Sequence, residues 1–163
     1  MHRTKWFTLT LSFVGATGCE ARDTTIDRIS DPCAALAVNA TGATSTQRGG
    51  IADALVLWRG RGATALGTGG PADATIEIRF EEAAPSFHGH YDDETGVIYI
   101  NARITDPATL AIVVAHELGH AFGLPHVDDR ISLMNRGNLV TPPTEADEHA
   151  LAALWGRCAA ALP

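Results

Sequence analysis

Residues 116–126 read HELGHAFGLPH, three imidazoles and one carboxylate within a single short stretch. The residues before it predict a helix, opened by Asp106 as N-cap with Pro107 in the first turn, running to about Phe122 and stopped by Gly123. On that helix His116 and His120 are four residues apart, so they stand on one face about 6 Å apart along the axis. Two imidazoles so placed can converge on one ion, with zinc–nitrogen bonds of about 2.0–2.1 Å. The helix itself cannot supply a third ligand from another direction. Gly123 can, because without a Cβ it takes a left-handed conformation, ends the helix and turns the chain so that His126 comes back to the same ion. Three neutral nitrogens leave a position for water, which marks a catalytic rather than a structural zinc site.

Glu117 is rotated by about 100° from His116 and so sits beside that open position instead of pointing at the ion. The expected chemistry is a zinc-bound water whose proton the carboxylate takes and later delivers to a leaving amine, while the ion polarises the carbonyl under attack. These parts suffice to hydrolyse a peptide bond without a covalent intermediate. A bare HExxH arises readily by chance, but the extended HExxHxxGxxH does so far more rarely. The bland alternative is a set of surface or satisfied core histidines, and the rival from another class is a noncatalytic zinc-binding surface module on the same fold.

A chain of 163 residues holds one compact domain with a real core, and the domain is expected to be monomeric. Its formal charge of −7, with Lys5 as the sole lysine, opposes binding to phosphate backbones and excludes a nucleic-acid function. The stretch GRGATA after LVLW approximates a dinucleotide fingerprint, but no repeating βαβ pattern or acidic ribose partner accompanies it.

Residues 1–18 have the pattern of a secretory signal: Arg3 and Lys5, an apolar run from Trp6 to Ala16, then small residues. The run is about half the length needed to cross a bilayer. ATGC resembles the lipobox of bacterial lipoproteins, which makes Cys19 the lipidation site and attaches the mature protein to the membrane; Ala16 and Gly18 equally fit ordinary signal cleavage and free secretion. Either way the protein is expected to leave a bacterial cell, and loss of Arg3 and Lys5 takes its formal charge from −7 to −9. With Cys19 consumed, Cys33 and Cys158 remain as an even pair in an oxidising compartment, where a disulfide is the simple reading. Two free thiols, or Cys33 capping the metal as a latency switch, are the alternatives.

Residues 19–46 read as a linker, in which DPCAALAV can open a short helix with Asp31 as cap; residues 47–163 read as the catalytic domain. From Ile51, the positions Ala54, Leu55 and Trp58 share a helical face that ends at Gly60 and Gly62. ATIEIRFE alternates Ile76, Ile78 and Phe80 with charges, as a half-buried strand does, and GVIYINARI is a second strand. SFHGHYDDETG between them is a loop or a very short edge strand. Thr144, with Asp147 three residues on, opens a last helix that runs to Trp155 and closes at Gly156.

The extended histidine motif, with SLMN downstream, resembles the metzincin zinc peptidases and their matrixin branch. The resemblance covers roughly residues 47–156, although Val127, Asp128 and Asp129 follow the third histidine where matrixins usually have Ser. It implies an α+β fold, a small twisted mixed sheet with a zinc-binding active-site helix and a C-terminal helix. It also implies one catalytic zinc on His116, His120 and His126, Glu117 as base and acid, and Met134 as the apolar floor of the Met-turn. A second, structural ion on His88, His90, Asp92 and Asp93 competes with the reading of these residues as a solvated turn. A protein or peptide substrate is expected to add as a strand to the edge of the sheet. Its side chain would enter a pocket lined by residues 134–143, where Leu139 and Val140 suggest an apolar preference.

Overall fold

The computed structural model of the protein describes residues 28–69 and 72–158. The leader-like residues 1–18 and Cys19 lie outside the described residues. Eight elements follow in order: β1 (Leu36–Asn39), α1 (Ser45–Arg59), β2 (Leu66–Gly67), β3 (Ala74–Glu81), β4 (Gly89–Asp92), β5 (Val97–Asn101), α2 (Pro107–Ala121) and α3 (Glu145–Trp155). The five strands form one mixed sheet in the order β2-β1-β3-β5-β4. All neighbours are parallel except β4, which pairs antiparallel with β5 at the edge. This is the expected α+β architecture. Among the described residues no helix is long and apolar enough to cross a membrane.

The alternation in β3 buries Ile76 and Ile78, while Arg79 turns out to solvent and pairs with Glu77 at 2.9 Å. Phe80 is only partly buried. Parallel pairing sets Ile78 beside Ile98 and Phe80 beside Ile100, which carries the apolar face across to β5. The sheet, α1, α2 and the loop through Leu133 and Met134 enclose the core, with Trp58 at its centre. The Trp58 indole N–H donates to the Ala115 carbonyl at 2.8 Å, so its polar edge is satisfied and α1 is tied to α2. At Gly50 the two helices approach so closely that a Cβ would lie 2.7 Å from the Leu110 side chain.

Three stretches differ from expectation. Helix α1 begins at Ser45, well before its apolar stripe, because Thr44 and Gln47 form a reciprocal capping box. The segment expected as a linker contributes β1, which lies inside the sheet between β2 and β3, so the folded unit begins before residue 47. The helix expected from Asp31 is absent: the Asp31 carboxylate accepts from Cys33 N–H at 2.8 Å in a local turn, and Leu36, Ala37 and Val38 go on to be buried as a strand. Cys33 and Cys158 are joined in a disulfide that ties this segment to the chain just beyond α3.

Candidate metal centre

Helix α2 opens as its sequence predicts, with the Asp106 carboxylate accepting from Thr109 N–H at 2.8 Å and Pro107 in the first turn. The helix is buried on nearly every side, and His116 and Glu117 on it are each only 6% exposed. At its end Gly123 takes φ +89°. Gly123 N–H bonds to the His120 carbonyl at 2.8 Å and Leu124 N–H to the Gly119 carbonyl at 2.9 Å, which satisfies the last carbonyls and reverses the chain. The bend brings His126 back to the helix: its Nε2 lies 3.2 Å from Nε2 of both His116 and His120.

Carbonyl partners fix the ring tautomers. His116 Nδ1 faces the Leu133 carbonyl at 2.8 Å and His120 Nδ1 faces the Leu124 carbonyl at 2.8 Å. A carbonyl only accepts, so each Nδ1 carries the proton and each Nε2 presents a lone pair to the centre. Burial lowers the pKa of all three imidazoles, that of His120 to about 4 with help from the neighbouring His116 charge. They are therefore neutral at pH 7. Ligand atoms of the three all lie within 4.8 Å of one another, close enough to share one ion. The donor set thus fits zinc.

The floor of the site is Met134, 2% exposed. A Cβ on Gly119, between the two helix histidines, would fall 2.5 Å from Met134 Sδ, 3.1 Å from its Cε and 3.3 Å from Trp58 Cζ2. Glycine inside the motif is therefore what lets the methionine approach. The Met134 carbonyl accepts from Val127 N–H at 3.1 Å, tying the His126 loop to the same turn. Asp147, 3% exposed on α3, holds that turn: it accepts from Ser132 Oγ, from Leu133 N–H at 3.0 Å and from Thr144 N–H at 2.7 Å. Asn138 Nδ2 donates to the Leu133 carbonyl at 3.0 Å, the acceptor that orients His116. Gly119, Asp147 and Asn138 were not marked by any sequence signal beyond the glycine inside HELGH and the capping position of Asp147.

Glu117 faces a cleft of about 240 Å³ shared with His116, His120, His126 and the β4 residues Gly89 and His90. Burial raises its pKa to about 7, only partly opposed by a hydrogen bond from the Tyr91 backbone. Gly89 leaves the carboxylate its space: a Cβ there would meet Glu117 Cγ and Oε1 at 2.9 Å. The cleft wall opposite β4 is formed by Gly137 and Asn138, not by Leu139 and Val140 as expected. Asn138 Oδ1 accepts from Val140 N–H at 3.2 Å and Thr141 N–H at 2.9 Å, a turn that leaves Leu139 and Val140 on a separate depression with Val56, Leu57 and Ile112. Asp92 Oδ1 accepts from Glu94 and Thr95 N–H at 3.0 and 3.1 Å, so it caps its own turn. Among the described residues the one group of three or more metal-capable side chains is His116, His120 and His126.

A mixed sheet with an antiparallel edge strand, a buried helix carrying two histidines, and a glycine bend returning the third together form a three-histidine group able to hold a metal ion. Residues 83–152 match the family model of the matrixins, a peptidase family, and over that span the chain is similar to them. A comparison with curated proteins finds none that matches.

Proposed function

We propose that the protein is a zinc-dependent endopeptidase, with His116, His120 and His126 holding the ion and Glu117 moving the protons. A zinc ion held there supplies Lewis acidity, polarising a peptide carbonyl and lowering the pKa of water. Glu117 takes a proton from the attacking water and returns it to the leaving nitrogen. Burial in the metal-free cleft raises the pKa of this carboxyl to about 7, the direction that favours a group able to take a proton and give it back. The substrate lies as an extended strand along β4, which is paired through β5 on one side only. Met134 and Asp147 act from below, fixing the turn against which the imidazoles rest. Export, through a leader at residues 1–18 with either a lipid on Cys19 or free secretion, and a monomeric state belong to the same proposal.

The observation that carries this reading is the convergence of three imidazole nitrogens in the cleft that also holds a buried carboxyl. The test is a casein and peptide-library digest by the zinc-loaded chain, with and without a chelator, alongside Glu117→Ala. The expected result is chelator-sensitive cleavage that Glu117→Ala abolishes while keeping its zinc. Stoichiometric zinc with no cleavage of any peptide would instead establish the noncatalytic module.

A further inference from the structure

The cleft beside Glu117 is the smaller of two cavities that meet at the histidines. The larger, about 790 Å³, shares His90, His120 and His126 with it, but Glu117 is not in its wall. Away from the histidines and Asp93 its lining is apolar: Tyr91 from β4, Phe122 and Leu124 from the bend, Leu154 and Trp155 from the end of α3, and Ile29 from the segment before β1. Ile29 is 54% exposed and Leu154 56%, and both line this cavity. They approach one point, the Cβ position of Gly123, at 3.6 and 3.8 Å, so they form a continuous apolar surface.

This wall is built, not a loose patch. Ser30 N–H donates to the Ala121 carbonyl at 2.7 Å and Trp155 Nε1–H to the Phe122 carbonyl at 2.8 Å, so both chain segments are fastened to the end of α2. The Cys33–Cys158 disulfide joins the same two chain segments.

We propose that this cavity is a subsite for a bulky apolar or aromatic side chain on the amino side of the scissile bond. The substrates are then extended polypeptides carrying such a residue shortly before the cleaved bond. The inference rests on the peptidase reading above and adds direction to it. Glu117 delivers a proton to the leaving nitrogen, so the half of the substrate that departs as an amine lies on the Glu117 side, in the smaller cleft. The acyl half passes His120 and His126 towards the larger cavity, whose continuity with the site at His90, His120 and His126 makes the substrate its occupant. Asp93 in the lining opposes an acidic residue there.

The test is digestion of a randomised peptide library by the zinc-loaded mature chain, with the cleaved bonds read by mass spectrometry. Phe, Tyr, Trp, Leu or Ile is expected to be enriched at one position preceding the cut. In Leu154→Lys and Ile29→Lys, both at exposed positions that leave the core intact, the ratio of kcat/KM for a Phe-bearing peptide to that for its Ala counterpart is expected to fall about tenfold or more. Calorimetric binding of the same two peptides to metal-free protein is expected to follow the same order. Cleavage with no upstream preference, or a preference that neither variant alters, overturns the inference and leaves the peptidase reading standing. A wild-type dimer in sedimentation that Leu154→Lys dissociates assigns the cavity to a second copy and likewise overturns it. Failure to cleave any peptide removes the peptidase reading and this inference with it.

Discussion

Replacing Glu117 by Gln should stabilise the metal-free protein, and by an amount that depends on pH. The carboxyl is 6% exposed and its pKa in the folded protein is about 7, against the ordinary glutamate value of 4.5 that holds in the unfolded chain. Below the lower value both states hold the proton and burial of the neutral acid costs the fold nothing extra. As pH rises from 4.5 to 7 the unfolded chain releases its proton while the folded one keeps it, so stability falls. Above 7 the folded protein must bury a charge, at a cost of about 3 kcal/mol from the displacement of the two values. The amide of Gln has no such charge and fills the same volume beside Gly89. Urea unfolding of chelator-treated wild type and Glu117→Gln at pH 5 and pH 8 measures the difference. The variant should match the wild type within about 1 kcal/mol at pH 5 and exceed it by about 3 kcal/mol at pH 8. A difference independent of pH would refute the burial argument, and with it the claim that this carboxyl is poised for proton transfer near neutrality.

Other perturbations follow from the same contacts. Gly119→Ala gains about 1 kcal/mol of helix propensity but forces Met134 and Trp58 apart at a cost of about 1–3 kcal/mol, so thermal unfolding should show a net loss and zinc should bind more weakly. Asp147→Ala strands Ser132 Oγ and the Leu133 N–H in the core and should lose about 3 kcal/mol in urea melts. Burial pushes the Asp147 carboxyl up, but hydrogen bonds from Ser132, Thr144 and Leu133 outweigh it and hold the pKa below the ordinary value. Its stabilisation is therefore present above the unfolded-chain pKa and lost as pH falls through the folded value, an acid sensitivity that Asp147→Ala should lack. Reduction of Cys33–Cys158, which spans 125 residues, should lower stability by about 5 kcal/mol in the chain-entropy model, read from melts with and without reductant.

The parts that were legible in the sequence are those set by local chemistry. Thr144 with Asp147 announces the start of α3, Asp106 with Pro107 that of α2, and Gly123 the bend, because caps and left-handed turns depend on residues a few positions apart. Ile76 and Ile78 reveal β3 by their period of two. What stayed hidden depends on partners far along the chain. Leu36–Asn39 is four residues of weak pattern, and only pairing with β2 and β3 makes it a strand. Gly119 is required by Met134, and Gly89 by Glu117, contacts that no spacing rule reports. Leu139 and Val140 sit in the right part of the chain for a substrate pocket but are turned away by the hydrogen bonds of Asn138. The large cavity needs Ile29 and Trp155, which lie at opposite ends of the described chain and meet only through the end of α2.

The convergence of three imidazoles on one ion is tested most directly by zinc titration against a competing chelator, for the wild type and for His126→Ala. One zinc per chain, with affinity reduced more than about a hundredfold in the variant, is the predicted result. Unchanged zinc affinity in His126→Ala would contradict it, because the bend at Gly123 would then bring nothing to the metal.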